Sequence, residues 1–201
     1  MSPIAWSTAS LIEVSKFETI TSLRRVLQGW VRVKILKTER LMLRQMRVED
    51  AEFIFELVNE PAFIRNIGDK GVRTLDGARD YILSGPVASY AKFGFGLYLV
   101  ALRETGEAIG ICGLLKRDSL EDVDIGFAFL ERFRRKGFAY EAAAAVMEYG
   151  RNSLGLKRIV AITSPDNEAS IRVLEKIGLQ FEKMIRMPGS DEDTRLFVPR
   201  T

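Results

Sequence analysis

From residue 36 onward, the apolar positions follow two periods, and the switches between them mark out the elements. In Thr38-Glu-Arg-Leu-Met-Leu-Arg44, Leu41 and Leu43 alternate with polar neighbours, as in a strand with one buried face. Arg47-Val-Glu-Asp50 then opens a helix in which Ala51, Ile54, Leu57 and Val58 share a face. Asn59-Glu-Pro61 stops it, and Ala62 to Arg73 reads as a short helix and loop. Thr74 is a natural cap for a further helix with Ala78, Tyr81 and Ile82 inward. Gly85-Pro86 is expected to break that helix, with a short helical segment resuming up to Lys92. Phe95 to Leu102 and Ala108 to Lys116 are rich in strand formers, and the turn Glu104-Thr-Gly-Glu107 joins them as a hairpin.

The stretch from Val123 to Leu154 organises the rest. Between Val123 and Leu130, Val123, Ile125, Phe127 and Phe129 point to one face and Asp124, Gly126 and Ala128 to the other. The first set reads as core. The second leaves an open strip beside one carboxylate, wide enough for a thin ligand lying along the sheet. Phe133-Arg-Arg-Lys-Gly-Phe-Ala139 follows as a basic, glycine-bearing turn. It opens a helix from Tyr140 to Leu154 with Ala139, Ala142, Ala143, Val146 and Gly150 on one face. Strand, tight turn, helix is a geometry suited to phosphate: the first amides of a helix lack internal partners and the helix dipole favours an anion there. Arg134, Arg135 and Lys136 add positive charge at that spot. Neither a Walker A loop nor a dinucleotide Gly-x-Gly-x-x-Gly fingerprint is present.

Beyond this helix, Lys157 to Ser164 reads as a strand. Pro165-Asp-Asn167 starts a helix, with Asp166 or Asn167 as cap; Ile171, Leu174 and Ile177 form its buried stripe, and Gly178 ends it. Glu182 to Met187 and Arg195 to Val198 form a closing hairpin around Pro188 to Asp193, whose acidic tip (Asp191, Glu192, Asp193) is either a solvated turn or a negative patch that would draw in a cation. Residues 1–33, with helical spacing at Leu23, Val26, Leu27 and Trp30, read as an N-terminal extension, and residues 34–201 as one domain. Strands and helices of these lengths make an α/β or α+β layered architecture.

Composition narrows the chemistry. The 201 residues contain no histidine, which removes Ser-His-Asp and Cys-His catalysis and histidine zinc sites together. Acid–base work therefore falls to carboxylates, hydroxyls, lysine or water. One cysteine, Cys112, permits no internal disulfide and suits a reducing, cytoplasmic setting. The net charge of +3 comes from basic residues interleaved with acids, so nucleic acid is not the expected partner. No membrane span and no signal peptide are expected.

Arg134-x-x-Gly137-x-Ala139 resembles the first signature of the GNAT N-acetyltransferases, and Asn167-x-x-Ser170-x-x-x-Leu174-x-Lys176-x-Gly178 resembles the second. With Thr38-Glu-Arg-Leu-x-Leu-Arg44, they are similar to the branch containing the ribosomal-protein N-terminal acetyltransferases, over roughly Lys34 to Val198. The resemblance implies a GNAT acyl-CoA N-acyltransferase fold, a mixed, strongly twisted sheet with flanking helices. It implies acetyl-coenzyme A as donor, an amine as acceptor (a protein N-terminus or a small molecule), no metal, and a monomer or homodimer. The strand at Val123 would splay from its neighbour so that the pantetheine arm pairs with its backbone. Phe127, Phe129, Leu130, Arg134, Arg135, Lys136, Gly137, Phe138, Ala139, Asn167 and Ser170 would hold the donor, and an amide near Phe129 would stabilise the oxyanion. Many members carry a tyrosine acid where Leu174 stands. Leucine cannot donate a proton, so the resemblance shifts that role to Ser170 and gives Asp124 the part of base or ammonium holder. An acyl-coenzyme A binding module without catalysis is the alternative.

Overall fold

Alternation along the strands becomes burial on two faces. The computed structural model describes residues 36–188 and 193–200. Its strands are β1 (Leu36–Lys37), β2 (Leu41–Arg44), β3 (Leu97–Leu102), β4 (Ala108–Leu115), β5 (Val123–Phe129), β6 (Ile159–Thr163), β7 (Leu179–Arg186) and β8 (Asp193–Pro199). They form one sheet in the order β1-β2-β3-β4-β5-β6-β8-β7, with β5 and β6 as the parallel pair and the other neighbours antiparallel. On β3, Tyr98 and Val100 turn to one core and Leu99 and Ala101 to the other. Neither face of the central sheet is left to solvent, which is why β3 and β4 read as near-continuous apolar runs.

One face is covered by α1 (Ala51–Val58), α2 (Pro61–Ile67) and α3 (Leu75–Ile82), the other by α5 (Phe138–Asn152) and α6 (Glu168–Lys176). The inward residues expected of α1 are all buried, and each large side chain so buried contributes roughly 1.5–3 kcal/mol relative to exposure. Small residues let α5 lie close to the sheet. Ala142 and Ala143 are fully buried, and a Cβ on Gly150 would stand 2.6 Å from Ile159 Cδ1 and 3.1 Å from Leu114 Cδ1.

Caps follow the sequence. Thr74 Oγ1 accepts the Gly77 amide (3.0 Å) and Asn167 Oδ1 accepts the Ser170 amide (3.1 Å). Two expectations are corrected. The strand foreseen from Thr38 begins at Leu41, because Thr38 to Arg40 is the turn of a β1–β2 hairpin: the Leu41 amide bonds Thr38 Oγ1 (3.0 Å) and the Thr38 amide bonds the Leu41 carbonyl (3.0 Å). Pro86 does not break the helical path. A π-helical turn, Leu83–Val87, carries the chain from α3 into α4 (Ala88–Phe93), its wider winding accommodating the ring that an α-helical turn would exclude. The N-terminal extension with its helical spacing at Leu23, Val26, Leu27 and Trp30, and Asp191 and Glu192 of the acidic tip, lie outside the described residues. Asp193 begins β8 and is paired with Arg186 (3.2 Å), so its charge is already met.

Candidate active site

The parallel contact between β5 and β6 is brief. Val123 sits opposite Ile159 and Asp124 opposite Val160, after which β6 pairs instead with β8 from Ala161. The two strands splay, and the gap opens into a cleft of about 2590 Å³. Which groups face it follows from register. The Leu130 amide bonds the Ile109 carbonyl (3.0 Å), so the even-numbered residues of β5 exchange their hydrogen bonds with β4. The N–H and C=O of Ile125, Phe127 and Phe129 therefore point the other way, into the gap, beyond the last β6 partner. The Phe129 carbonyl is taken by Arg134 Nε (2.9 Å). The Phe129 amide and both backbone groups of Phe127 have no partner among the described residues.

The cleft runs on to the N-terminus of α5. Gly137 caps that helix at φ +82°, a left-handed conformation that favours glycine. Arg135, two residues earlier, also has positive φ (+60°). The first helical bond is from Glu141 N–H to the Gly137 carbonyl (3.1 Å), which leaves the amides of Phe138, Ala139 and Tyr140 as the unpaired start of the helix. A brace from the other end of the chain holds this loop. Glu141 accepts hydrogen bonds from Thr38 Oγ1, the Arg40 amide (2.8 Å) and Arg40 Nε (2.7 Å), while Arg40 Nη1 donates to the Lys136 carbonyl (3.0 Å). The Arg40 guanidinium also lies 4.7 Å from the centre of the Phe138 ring. Burial alone would raise the Glu141 pKa, but the bonds from Thr38 and Arg40 outweigh it and hold the group below its usual 4.5.

The other end of the gap holds Asp124. It is 1 % exposed rather than open, and Arg117 Nε donates to both its oxygens, at 2.9 and 3.1 Å. Burial pushes its pKa above 3.8 against the lowering effect of Arg117. Ser170 stands across the gap in the first turn of α6, half-buried on the cleft wall; its hydroxyl has no hydrogen-bond partner among the described residues. Leu174 lines the same wall.

Most of the residues singled out from the sequence meet here. Asp124, Phe127, Phe129, Arg134, Arg135, Gly137, Phe138, Ala139, Asn167 and Ser170 all border the cleft. Leu130 and Lys136 do not: Leu130 is fully buried, and the Lys136 ammonium sits 5.4 Å from the centre of the Phe133 ring. Arg134 lines the cleft with its charge already engaged, since its guanidinium pairs with Glu60 as well as the Phe129 carbonyl. Asn167 spends its side-chain oxygen on the helix start. Arg117, Arg40, Glu141 and Glu60 were not visible as site residues, because each acts across 7 to 103 residues of sequence. Among the described residues no group of three His, Cys, Asp or Glu is placed to hold a metal, and no helix is long and apolar enough to cross a membrane.

Comparison with known proteins identifies the family. Residues 40–180 match the family model described as an acetyltransferase (GNAT) domain. The chain is 33% identical over 168 residues to the uncharacterized N-acetyltransferase YoaA of Bacillus subtilis, covering 81% of this chain and 94% of that one. It is 31% identical over 162 residues to the uncharacterized N-acetyltransferase p20 of Bacillus licheniformis, covering 77% and 86%. Among solved structures, an acetyltransferase from Agrobacterium tumefaciens superposes with a TM-score of 0.72 at 26% identity, over 86% of this chain and 97% of that one. RimL, a ribosomal alpha-N-protein acetyltransferase in complex with coenzyme A, shares the fold with a TM-score of 0.70 at 18% identity, over 82% and 97%. This chain belongs to the GNAT acetyltransferase family, whose reaction is transfer of an acetyl group to an amine nitrogen.

Proposed function

We propose that the protein transfers acetyl from acetyl-coenzyme A to a primary amine, a protein N-terminus or a small molecule, by direct attack within this cleft. One observation carries the reading: the unpaired backbone edge of β5 leads from a buried carboxylate at Asp124 to the open N-terminus of α5. A thioester arm pairs with the Phe127 backbone as an added strand, and its pyrophosphate meets the amides from Arg135 to Ala139, favoured by the helix dipole. The exposed guanidinium of Arg135 adds charge there, while Arg134 fixes the loop to β5 and α2. The coenzyme A bound by RimL supports the donor; that likeness is one of fold.

Each protein group then has a task. An alkyl ammonium with pKa near 10 must lose a proton before its nitrogen can attack. Asp124 takes that proton, directly or through water. The Phe129 N–H donates to the carbonyl oxygen as the C–N bond forms and charge gathers there. As the C–S bond breaks, the electron pair leaves on sulfur, the nitrogen gives up its second proton to water, and the Ser170 hydroxyl or water supplies the proton that makes the thiol. The free thiol of buried Cys112 suits a reducing, cytoplasmic location.

Free thiol release from acetyl-coenzyme A in the presence of pooled primary amines tests the reading. Amine-dependent release is expected. Tight coenzyme A binding without release, whatever the amine, would leave a binding module instead.

A further inference from the structure

Beyond Asp124 the cleft ends in a cluster of cations that acetyl transfer itself does not require. Arg117 lies just past β4, and Lys70 lies three residues beyond the last turn of α2. The run from Glu60 to Lys70 follows β5 from end to end: Glu60 accepts the Glu131 amide (2.9 Å) past the end of β5, and Lys70 stands near Arg117 by the start of it. We propose that Arg117 and Lys70 form an acceptor subsite for a carboxylate, so that the preferred acceptor is a free α-amino acid rather than a cationic polyamine or an N-terminus amidated by a peptide bond.

The Arg117–Asp124 pair carries the inference. A purely structural pair would commonly present the forked edge of the guanidinium to the carboxylate in two parallel bonds. Here Asp124 is served by Nε alone, and Nη1 and Nη2 have no partner among the described residues. The exposure is asymmetric as well: the Arg117 side chain is 38 % exposed and that of Asp124 1 %. The pair therefore shows its cationic fork to the cleft, with the carboxylate directly behind. An α-amino acid is the complementary zwitterion, its carboxylate and ammonium separated by one carbon. With its carboxylate on the Arg117 fork, its amine falls beside Asp124, the group that must take its proton.

Lys70 strengthens the cationic side. Its ammonium touches the Ile67 carbonyl (3.3 Å) and has no carboxylate partner among the described residues. Desolvation first, and the Arg117 charge second, push its pKa below the usual lysine range. Two cations that feel one another's charge at the border of one cleft favour an anion between them. Tyr81 borders the same end with its phenol kept protonated by burial, and it offers a neutral donor. The nearby acids leave this balance standing. Asp69 is bound to Arg73, and Asp118, exposed on the Arg117 loop, borders the cleft together with Arg65.

The subsite rests on the amine acetylation proposed above, and one experiment separates the two. Thiol release is measured with acetyl-coenzyme A and either a pool of α-amino acids or the matched pool of their carboxamides. The amides have the less basic amine and more of it free at neutral pH, so solution reactivity runs against the expected preference. The expected result is a kcat/KM ratio of acids over amides of at least about tenfold, as for loss of a charged hydrogen-bonding partner. In Lys70→Met the ratio falls, and in Lys70→Glu it falls further. Lys70 makes one exposed contact, and the thermal unfolding midpoint of each variant confirms that it folds. Turnover with amides equal to or above acids, or a ratio unchanged in Lys70→Glu, overturns the subsite and leaves the transferase standing. No turnover with either pool, with simple alkylamines or with peptides bearing free N-termini overturns both.

Discussion

The two ends of the cleft are built differently. The donor end is made of contiguous backbone: Arg135 and Gly137 set two left-handed turns, and the amides that follow belong to one helix start. The proposed acceptor end is made of side chains from separate elements: Asp124 on β5, Arg117 beyond β4 and Lys70 beyond α2. A phosphate can be held by backbone N–H groups whose identity hardly matters, so few residue types are demanded. An acceptor is recognised by particular side chains, and these can be gathered from anywhere. The donor end is thus generic to the chemistry, and the acceptor end belongs to this protein.

If that division is right, changes at the two ends should separate in kinetics. The largest effect is expected at the acceptor end. Asp124→Asn keeps the shape and removes the charge, and general-base help is typically worth about 10² to 10⁴ in rate. A fall of that order in kcat, with acetyl-coenzyme A affinity little changed by calorimetry, is the expected outcome. Because burial raises the Asp124 pKa above 3.8, the wild-type rate should drop on the acid side through a pKa above that value. The Asn variant should lack that limb. Near-native kcat at every pH would make the carboxylate structural.

Next comes the donor loop. Gly137→Val forces a β-branched residue to φ +82° and brings its Cβ to 3.3 Å from Arg40 Nη2. Holding such a conformation costs on the order of 1–3 kcal/mol. Coenzyme A should bind about ten- to a hundredfold more weakly, while circular dichroism shows the sheet and helices in place. Unchanged affinity in a folded variant would remove the loop from the donor site.

A smaller effect should come from the brace behind that loop. Glu141→Gln loses the charge held by Arg40 and Thr38, and a net hydrogen-bond contribution of about 1 kcal/mol predicts a several-fold rise in coenzyme A Kd with kcat preserved. The folded-state pKa of Glu141 lies below its usual 4.5, so its contribution is complete above that pH and fades as pH falls through the folded value. The Gln variant should not show that acid-side loss. Equal Kd in the two proteins would mean the loop stands without Arg40. Ser170→Ala should have the smallest effect, a few-fold in kcat, because water can protonate a good leaving group in place of the hydroxyl. A hundredfold fall would make Ser170 the obligate acid.

Local grammar explains why so much of the fold could be read in advance. The α1 stripe, the Thr74 and Asn167 caps, the β3–β4 hairpin and the small face of α5 each depend on residues within a few positions of one another. Where expectation failed, a distant or geometric constraint decided. Thr38 left its strand to cap a turn and bond Glu141, 103 residues away. Pro86 stayed inside a helical path because a π turn made room. Asp124 was placed correctly on the face opposite Ile125, yet its burial depends on Arg117, and a periodicity of two reports a face rather than what covers it.

By itself, then, the sequence determined the periods of burial, the helix starts and stops other than at Pro86, the phosphate-suited turn at Arg134 to Ala139 and a chemistry without histidine. All of these are properties of neighbours along the chain, or of its composition. Only the tertiary structure decided that β5 and β6 part after Asp124, that the Phe127 and Phe129 backbone faces the gap, and that Arg117 meets Asp124 through Nε. Register between strands and pairing between distant charges are set by the packing of the whole sheet. No local pattern encodes them.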